Sequence, residues 1–115
     1  MIDLKTVNNI YILSGFTDLR KSIDGLASLI KESFKQDPFD NSLYLFCNKN
    51  KTRIKILHYE LNGFWIYYKR LEQGKFKWPK KNELKCLEIR QFHWLFEGLS
   101  IEQKTFKSVK YSIVS

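Results

Sequence analysis

The sequence predicts one small α+β domain, in which an antiparallel meander of four to five strands packs with a long N-terminal helix and a shorter C-terminal helix. Apolar residues recur at helical spacing over residues 18–35, and short runs rich in β-branched and aromatic residues fill the middle of the chain. A chain of 115 residues is long enough for one core, and an apolar fraction of 43% favours a folded domain.

The N-terminal part contains a strand followed by the long helix. Residues 10–13 form the strand, and Ser14-Gly15 end it. Thr17 is the predicted N-cap of a helix over residues 18–35. Asp37-Pro38 ends this helix, because the residue before a proline disfavours helical backbone angles.

The middle of the chain alternates strands with polar turns. Asn62-Gly63 predicts a two-residue type I′ hairpin loop, since both residue types tolerate positive backbone angles. In that register Lys55 faces Arg70, and Arg53 lies further along the same face. The predicted strands of this part and of the chain's end cover residues 43–47, 52–60, 64–71, 75–78, 84–87 and 111–114.

A second helix is predicted over residues 88–97, with Gly98 at its C-terminal cap, and residues 100–115 form a polar tail. Cys47 and Cys86 lie in apolar neighbourhoods without paired spacing, which indicates two free, buried thiols and a reduced cytoplasm. No stretch resembles a signal peptide or reaches membrane-spanning length, so we expect a cytoplasmic protein without a membrane partner.

The positive charge of the chain is concentrated in its middle third. The net charge is +8, and residues 49–85 contain eleven basic and three acidic residues. The flanking parts, residues 1–48 and 86–115, have net charges of −1 and +1. This distribution favours a basic surface that meets a polyanion, with a well-solvated sheet face as the alternative.

Aromatic rings alternate with cations over residues 67–81. Cations attract a phosphate backbone, and flat rings offer stacking surfaces for bases, so we predict a DNA-binding patch in which Tyr68, Phe76 and Trp78 pack or stack at the surface. Strand alternation places Lys69 on the face opposite Arg70, so these cations do not all share one surface. The predicted nucleic-acid-binding residues are Arg20, Lys21, Arg53, Lys55, Tyr68, Lys69, Arg70, Lys75, Phe76, Lys77, Trp78, Lys80 and Lys81.

Arg20 and Lys21 belong to this set because they fall in the first turn of the predicted long helix. Free backbone N–H groups at that helix end suit a phosphate, and the two cations would add charge-assisted donors. The alternative is an ion pair between Arg20 and Asp24, with Lys21 simply solvated.

Catalytic and metal chemistry have little support in the sequence. The two histidines and two cysteines lack zinc-site spacing, and no glycine-rich phosphate loop follows a strand. A nuclease needs clustered carboxylates, whereas Asp18, Asp24, Asp37 and Asp40 are explained by capping, solvation and turns. We therefore predict a protein that is not an enzyme and uses no cofactor or metal.

Residues 17–26, with the sequence T-D-L-R-K-S-I-D-G-L, resemble the N-terminal signature of the TnpB-like accessory proteins of the insertion-sequence family numbered sixty-six. Further blocks match in order and spacing, so the resemblance covers about residues 10–99. These blocks are Asp37-Pro38-Phe39, residues 43–46, residues 51–57, Gly63, residues 67–72, Gly74, Phe76, Trp78-Pro79 and residues 91–98. The chain departs from the family at His58-Tyr59-Glu60, where relatives tend to have tryptophan and aspartate, and at Glu88, where a Ser or Thr cap is usual.

The resemblance implies a single TnpB-like domain over residues 1–115, encoded in a bacterial mobile element beside a larger DDE-type transposase. It also implies an association with transposition and no established catalytic role. Together with the basic patch, it predicts a DNA-binding accessory factor whose partners are DNA, either element ends or nonspecific duplex, and the transposase. The alternative is a protein-interaction adaptor that docks on the transposase, with Tyr67, Trp78 and Trp94 as anchors.

Overall fold

The structure is a computed structural model that describes residues 2–103. A five-stranded sheet in the order β4-β3-β2-β1-β5 forms its centre, with one helix on each face, so the α+β class is confirmed. The predicted strand at 111–114 lies outside the described residues. The strands are β1 (Ile10–Leu13), β2 (Leu43–Cys47), β3 (Arg53–Glu60), β4 (Gly63–Arg70) and β5 (Leu84–Leu87), and the helices are α1 (Ile23–Phe34) and α2 (Ile89–Phe96).

The sheet is mixed, so the predicted antiparallel meander is wrong as a description of the whole sheet. α1 crosses over from β1 to β2, and these two strands therefore run parallel. β5 returns to pair antiparallel with the other side of β1. Only β2, β3 and β4 form an antiparallel meander.

α1 is shorter than the predicted helix at its N-terminal end. Ser22 is its N-cap, with the Ser22 hydroxyl oxygen accepting a hydrogen bond from the Gly25 amide at 3.3 Å. Thr17 is not a cap, because the helix begins only at Ile23. The Thr17 amide donates to the carbonyl of Cys47 at 2.8 Å and holds this part of the chain against β2. Lys35, with a φ of 55°, ends the helix before Asp37-Pro38.

The core is divided by the sheet into two layers. On one face, which we term the α1 face, Leu26 and Ile30 of α1 pack over Tyr44, Phe46 and Leu57. On the opposite α2 face, the buried side chains come from the sheet, α2 and the chain after β4. They include Ile12, Leu45, Ile54, Phe76, Trp78 and Leu95.

The hairpin between β3 and β4 turns earlier than predicted. Leu61 and Asn62 form its loop, Glu60 pairs with Gly63, and Leu61 has a φ of 59°. The predicted Asn62-Gly63 loop and its pairing of Lys55 with Arg70 are therefore wrong. Arg53 faces Arg70, and Lys55 faces Tyr68. Each residue of β3 pairs with a β4 residue two positions away from its predicted partner. A shift of two preserves the side of the sheet to which each residue points.

Residues 71–83, which we term the 71–83 segment, contain no helix or strand, so the predicted strand at 75–78 is wrong. Backbone hydrogen bonds tie it to the end of the sheet, from the Leu71 amide to the Thr52 carbonyl and from the Phe76 amide to the Lys51 carbonyl, both at 2.8 Å. The Trp78 indole nitrogen donates to the carbonyl of Leu13 at 2.9 Å.

α2 agrees with its predicted bounds within one residue, and Gly98 follows it with a φ of 87°. Gln91 supplies the cap that Glu88 alone would not, because its side-chain oxygen accepts the Glu88 amide at 2.8 Å.

The two thiols differ in exposure. Cys47 is free and buried in β2, and burial raises the pKa of its thiol to about 12. Cys86 is free but exposed, so the prediction of two buried thiols is wrong for Cys86.

No helix within residues 2–103 combines the length and the apolar character needed to span a membrane.

Candidate nucleic-acid interface

One end of the sheet gathers most of the cations that the sequence singles out. Here the C-terminal ends of β1, β2 and β4 meet the N-terminal ends of β3 and β5. The 71–83 segment and the loop of residues 48–52, between β2 and β3, cover this end. We term the cation-bearing surface formed by these parts the basic end.

A groove of about 660 Å³ opens on the α1 face of the basic end, and we term it the α1-side groove. β3 and β4 contribute Arg53, Lys55 and Tyr68, and the loop after β1 contributes Phe16 and Arg20. The 48–52 loop contributes a fourth cation, Lys49. The structure thus brings four of the sequence-predicted residues together: Arg20, Arg53, Lys55 and Tyr68.

The cations of this groove differ in their partners. Arg53 is exposed and forms no ion pair with any residue between 2 and 103. The ammonium of Lys55 donates to the carbonyl of Leu19, which fixes it at the side of the groove. Arg20 binds Asp18 through two nitrogens, with a shortest separation of 2.8 Å. Hydrogen bonding to Arg20 holds the pKa of the Asp18 carboxyl well below its usual range.

Neither interpretation of Arg20 from the sequence describes its environment. Arg20 and Lys21 precede α1 and are not part of its first turn. The ion pair of Arg20 is formed with Asp18 rather than with Asp24.

Asn48 organises the loop that presents Lys49 and Lys51. Its side-chain oxygen accepts hydrogen bonds from the amides of Thr52 at 2.9 Å and Arg53 at 3.0 Å. The Asn48 side-chain nitrogen donates to the Thr52 hydroxyl at 3.1 Å. Sequence reasoning treated these residues only as a polar turn and missed both lysines. Their position directly before the cation-rich β3 was the available signal.

Two aromatic rings are exposed in the α1-side groove. Phe16 is 65% exposed, and the ammonium of Lys49 lies 5.9 Å from its ring centroid. Tyr68 is 53% exposed on β4. Phe16 was not predicted as a site residue, because nothing in the sequence distinguishes it from a core phenylalanine.

A second groove, of about 690 Å³, lies beside the 71–83 segment, and we term it the lysine groove. Glu83 lies 3.8 Å from the ammonium of Lys81 and 3.6 Å from that of Lys85. The lysines that line this groove are Lys51, Lys75, Lys77, Lys80, Lys81 and Lys85, four of which were predicted as site residues.

A smaller cavity of about 160 Å³ has lining residues in common with both grooves. It shares Phe16 and Lys49 with the α1-side groove, and Lys51 and Lys80 with the lysine groove. Ten basic and three acidic residues line the three cavities together, so the positive surface is continuous around the end of the sheet.

Phe76 and Trp78 line the lysine groove only as buried side chains, so the prediction that they pack or stack at the surface is wrong. They are only 2% and 4% exposed. Alternation in the 71–83 segment turns these rings into the α2-face core and leaves Lys75 and Lys77 exposed. The same burial removes Trp78 as an anchor for an adaptor surface.

Three other predicted cations lie outside both grooves. Lys69 is on the α2 face, with its ammonium 5.9 Å from the Phe96 centroid, so its predicted separation from Arg70 is confirmed. Arg70 is on the α1 face and is bound to Glu72 at 2.9 Å. Lys21 lines a separate cavity beside α1.

The two histidines differ in burial. His58 is buried, and its Nε2 donates to the side-chain oxygen of Asn41 at 2.7 Å. His93 is exposed on α2. Among residues 2–103, no group of three or more His, Cys, Asp or Glu side chains is arranged to hold a metal ion.

Comparison with known proteins finds one family model and two curated proteins that match most of this chain. A family model described as IS66 Orf2 like protein matches residues 8–106. The uncharacterized protein y4hO of Sinorhizobium fredii (strain NBRC 101917 / NGR234) is 27% identical over 104 residues, which are 88% of this chain and 90% of that protein. The uncharacterized protein y4jC of the same strain is 28% identical over 94 residues, or 81% of this chain and 80% of that protein. No solved structure gives a significant match.

Proposed function

Because the chain belongs to the family of IS66 Orf2-like proteins, and this membership indicates an accessory role in transposition, we propose that the protein is a non-catalytic transposition factor that binds DNA through the basic end. The observation that carries this proposal is the presence of two cation-lined grooves at one end of the sheet, with a smaller cavity that has cations in common with both. DNA presents a dense row of negative charges, and a continuous cationic surface matches such a partner better than scattered cations do.

The partners of each cation suggest which residues contribute most. Arg53 has no carboxylate partner within residues 2–103 and is free to bind phosphate in a bidentate manner. Arg20 and Arg70 are already bound to Asp18 and Glu72, so a phosphate would have to compete with a carboxylate for them. We therefore rank Arg53 first among the DNA contacts.

A salt titration of duplex binding tests the proposal. With about six phosphate contacts, the slope of log K against log[salt] should be about −5. Arg53→Ala should weaken binding to all duplex sequences alike and make the slope shallower by about 1. Lys31→Ala is the matched control, since Lys31 is an exposed cation in the last turn of α1 outside the grooves. A salt-independent affinity, or equal effects of the two substitutions, would contradict the proposal.

A second candidate function is an adaptor that docks on the transposase, and exposed apolar side chains at the hairpin favour it. Leu61 is 92% exposed and Trp65 is 54% exposed, and both lie at the end of the β3–β4 hairpin away from the basic end. Aromatic residues in such positions are typical of interface anchors.

Pull-down with the element's transposase from a nuclease-treated lysate separates the two functions. Capture that survives DNA removal and is lost in Trp65→Ala supports the adaptor. Capture that depends on DNA and on Arg53 supports the DNA-binding function.

A further inference from the structure

Phe16 is an exposed ring on a fixed part of the backbone. The Gly15 amide before it donates to the Pro79 carbonyl, and the Thr17 amide after it donates to the Cys47 carbonyl, both at 2.8 Å. Gly15 has a φ of +82°, which favours glycine at this position. These constraints hold the ring outside the core, 65% exposed at the mouth of the α1-side groove. A phenylalanine held in this way offers a prepared apolar surface to a ligand.

Tyr68 supplies a second ring to the same groove from a different element. It projects from β4, opposite Lys55 of β3, and is 53% exposed. No other aromatic ring within residues 2–103 stacks against it. A strand and a loop thus each place one open ring face in one concave site.

Cations lie beside both rings. The Lys49 ammonium is 5.9 Å from the centroid of Phe16, and Arg53 and Lys55 line the groove together with Tyr68. The groove volume of about 660 Å³ is within the range of roughly 300–1,000 Å³ that is usual for small-molecule sites. Rings for stacking beside cations for phosphate are the features of single-strand binding sites.

We propose that the α1-side groove binds unpaired nucleotides of DNA, with bases stacked on Phe16 and Tyr68 and the backbone held by Lys49 and Arg53. This inference rests on the proposed DNA-binding function and adds unpaired nucleotides to the forms of DNA that this groove accepts. Bases inside a duplex are stacked on each other, so their faces are closed to these rings. The lysine groove presents no exposed ring within the described residues, because Phe76 and Trp78 are buried, and it remains a site for backbone phosphate alone.

The test compares a single-stranded oligonucleotide of about 12 thymidines with a duplex of equal length, at one salt concentration, by fluorescence anisotropy with the full chain. Loss of one stacked base corresponds to roughly a 5- to 150-fold change in affinity. We expect Phe16→Ala and Tyr68→Ala each to weaken single-strand binding within that range and to leave duplex binding unchanged within about twofold.

Trp65→Ala is the matched control, since Trp65 is equally exposed but lies near the hairpin turn on the other face. It should leave both affinities unchanged. Phe16→Leu keeps an apolar side chain without an aromatic face, and we expect it to lose most of the single-strand affinity. Circular dichroism and thermal unfolding of each variant show whether the fold is intact.

A 2-aminopurine base in the oligonucleotide provides a readout of stacking itself. Its fluorescence should be quenched on binding to the wild type, and the quenching should be lost in the Phe16→Ala, Tyr68→Ala double variant at saturating protein. If folded ring variants bind both forms of DNA as the wild type does, or lose both affinities equally, the inference is overturned and the proposed function stands. If the wild type binds neither form even at low salt, both are overturned.

Discussion

At the scale of single residues, the cations of the basic end are distinguished by what already neutralises them. Arg20 and Arg70 each hold a carboxylate from a residue two positions away, and Lys55 holds a backbone carbonyl. Arg53 and Lys49 have no carboxylate partner within the described part of the chain. A count of charges along the sequence cannot make this distinction, because it depends on which side chains the turns bring together.

His58, a buried histidine of β3, has a consequence for stability. Its Nε2 donates to the Asn41 side-chain oxygen, and the Asn41 side-chain nitrogen donates to the Thr6 carbonyl at 3.2 Å, which fixes the orientation of the amide. Nδ1 is buried without a partner in the described residues. Protonation would therefore place an unsatisfied donor and a charge inside the protein, and burial lowers the pKa of His58.

We predict that the wild type loses stability as the pH falls below about 6.5, the ordinary pKa of histidine. The unfolded chain then binds a proton that folded His58 resists, so the free energy of unfolding decreases by up to about 1.4 kcal/mol per pH unit until the folded pKa is reached. Urea unfolding between pH 5.5 and 7.5 measures this effect. The decrease should be smaller in His58→Gln, and a parallel pH profile for the two proteins would refute the assignment.

At the scale of elements, predictions succeeded where a local pattern decided the structure. The bounds of β1, β2 and β5 agree with the sequence, because each is a short apolar run between turn-forming residues. α1 begins at Ile23, after the contact that ties the Thr17 amide to β2, although Thr17 is a good cap by residue type. Its true cap, Ser22, is equally suitable by residue type, so only the tertiary contact distinguishes the two.

The β3–β4 hairpin shows a local preference that tertiary structure overrides. The Asn-Gly pair is the best turn sequence in the chain, yet Leu61 takes the left-handed backbone conformation instead. A shift of two residues leaves Phe64 on the same face, so burial alone does not choose between the two registers. The observed register sets Tyr59 opposite Phe64, and both rings pack with Phe39 at centroid separations of 5.0 to 5.3 Å. These aromatic contacts offset the cost of a strained leucine.

We predict that Leu61→Asn stabilises the protein, since asparagine tolerates positive φ better than leucine does. The gain should be a fraction of the roughly 1–2 kcal/mol that the left-handed conformation costs an ordinary residue. Leu61→Ala is the control, because it removes the same exposed side chain but keeps the strain. Chemical denaturation measures both variants, and an equal stability of the two would contradict the explanation.

At the scale of the whole molecule, the fold assembles the basic end from separate parts of the chain. The charge distribution along the chain locates the cations in the middle third, and strand alternation divides them between two faces. Lys49, Lys51 and Lys80, which line the cavity between the two sets, connect them around the end of the sheet. The predicted meander already places the 48–52 loop and the end of β4 at one end of the sheet. Its additional strand over residues 75–78, which the structure lacks, would have carried Lys80 to the opposite end.

We predict that the two grooves bind one DNA molecule together. Arg53→Ala and Lys77→Ala affect different grooves, and each should make the salt slope of duplex binding shallower by about 1. In the double variant the two changes should add to about 2, since separate phosphates are involved. The same salt titration measures all three proteins. A double variant with the slope of one single variant would mean that only one groove contacts the DNA.

The attachment of the 71–83 segment has a further consequence, for the way in which this molecule opens. The segment has no regular structure of its own, and it is joined to the sheet through the amides of Gly15, Leu71 and Phe76 and the indole of Trp78. Release of the segment would dismantle the basic end, whereas the ladders that join β1, β2, β3 and β4 would persist. The segment is therefore a candidate unit of partial unfolding. Hydrogen exchange at these three amides therefore reports the opening of the basic end separately from global unfolding.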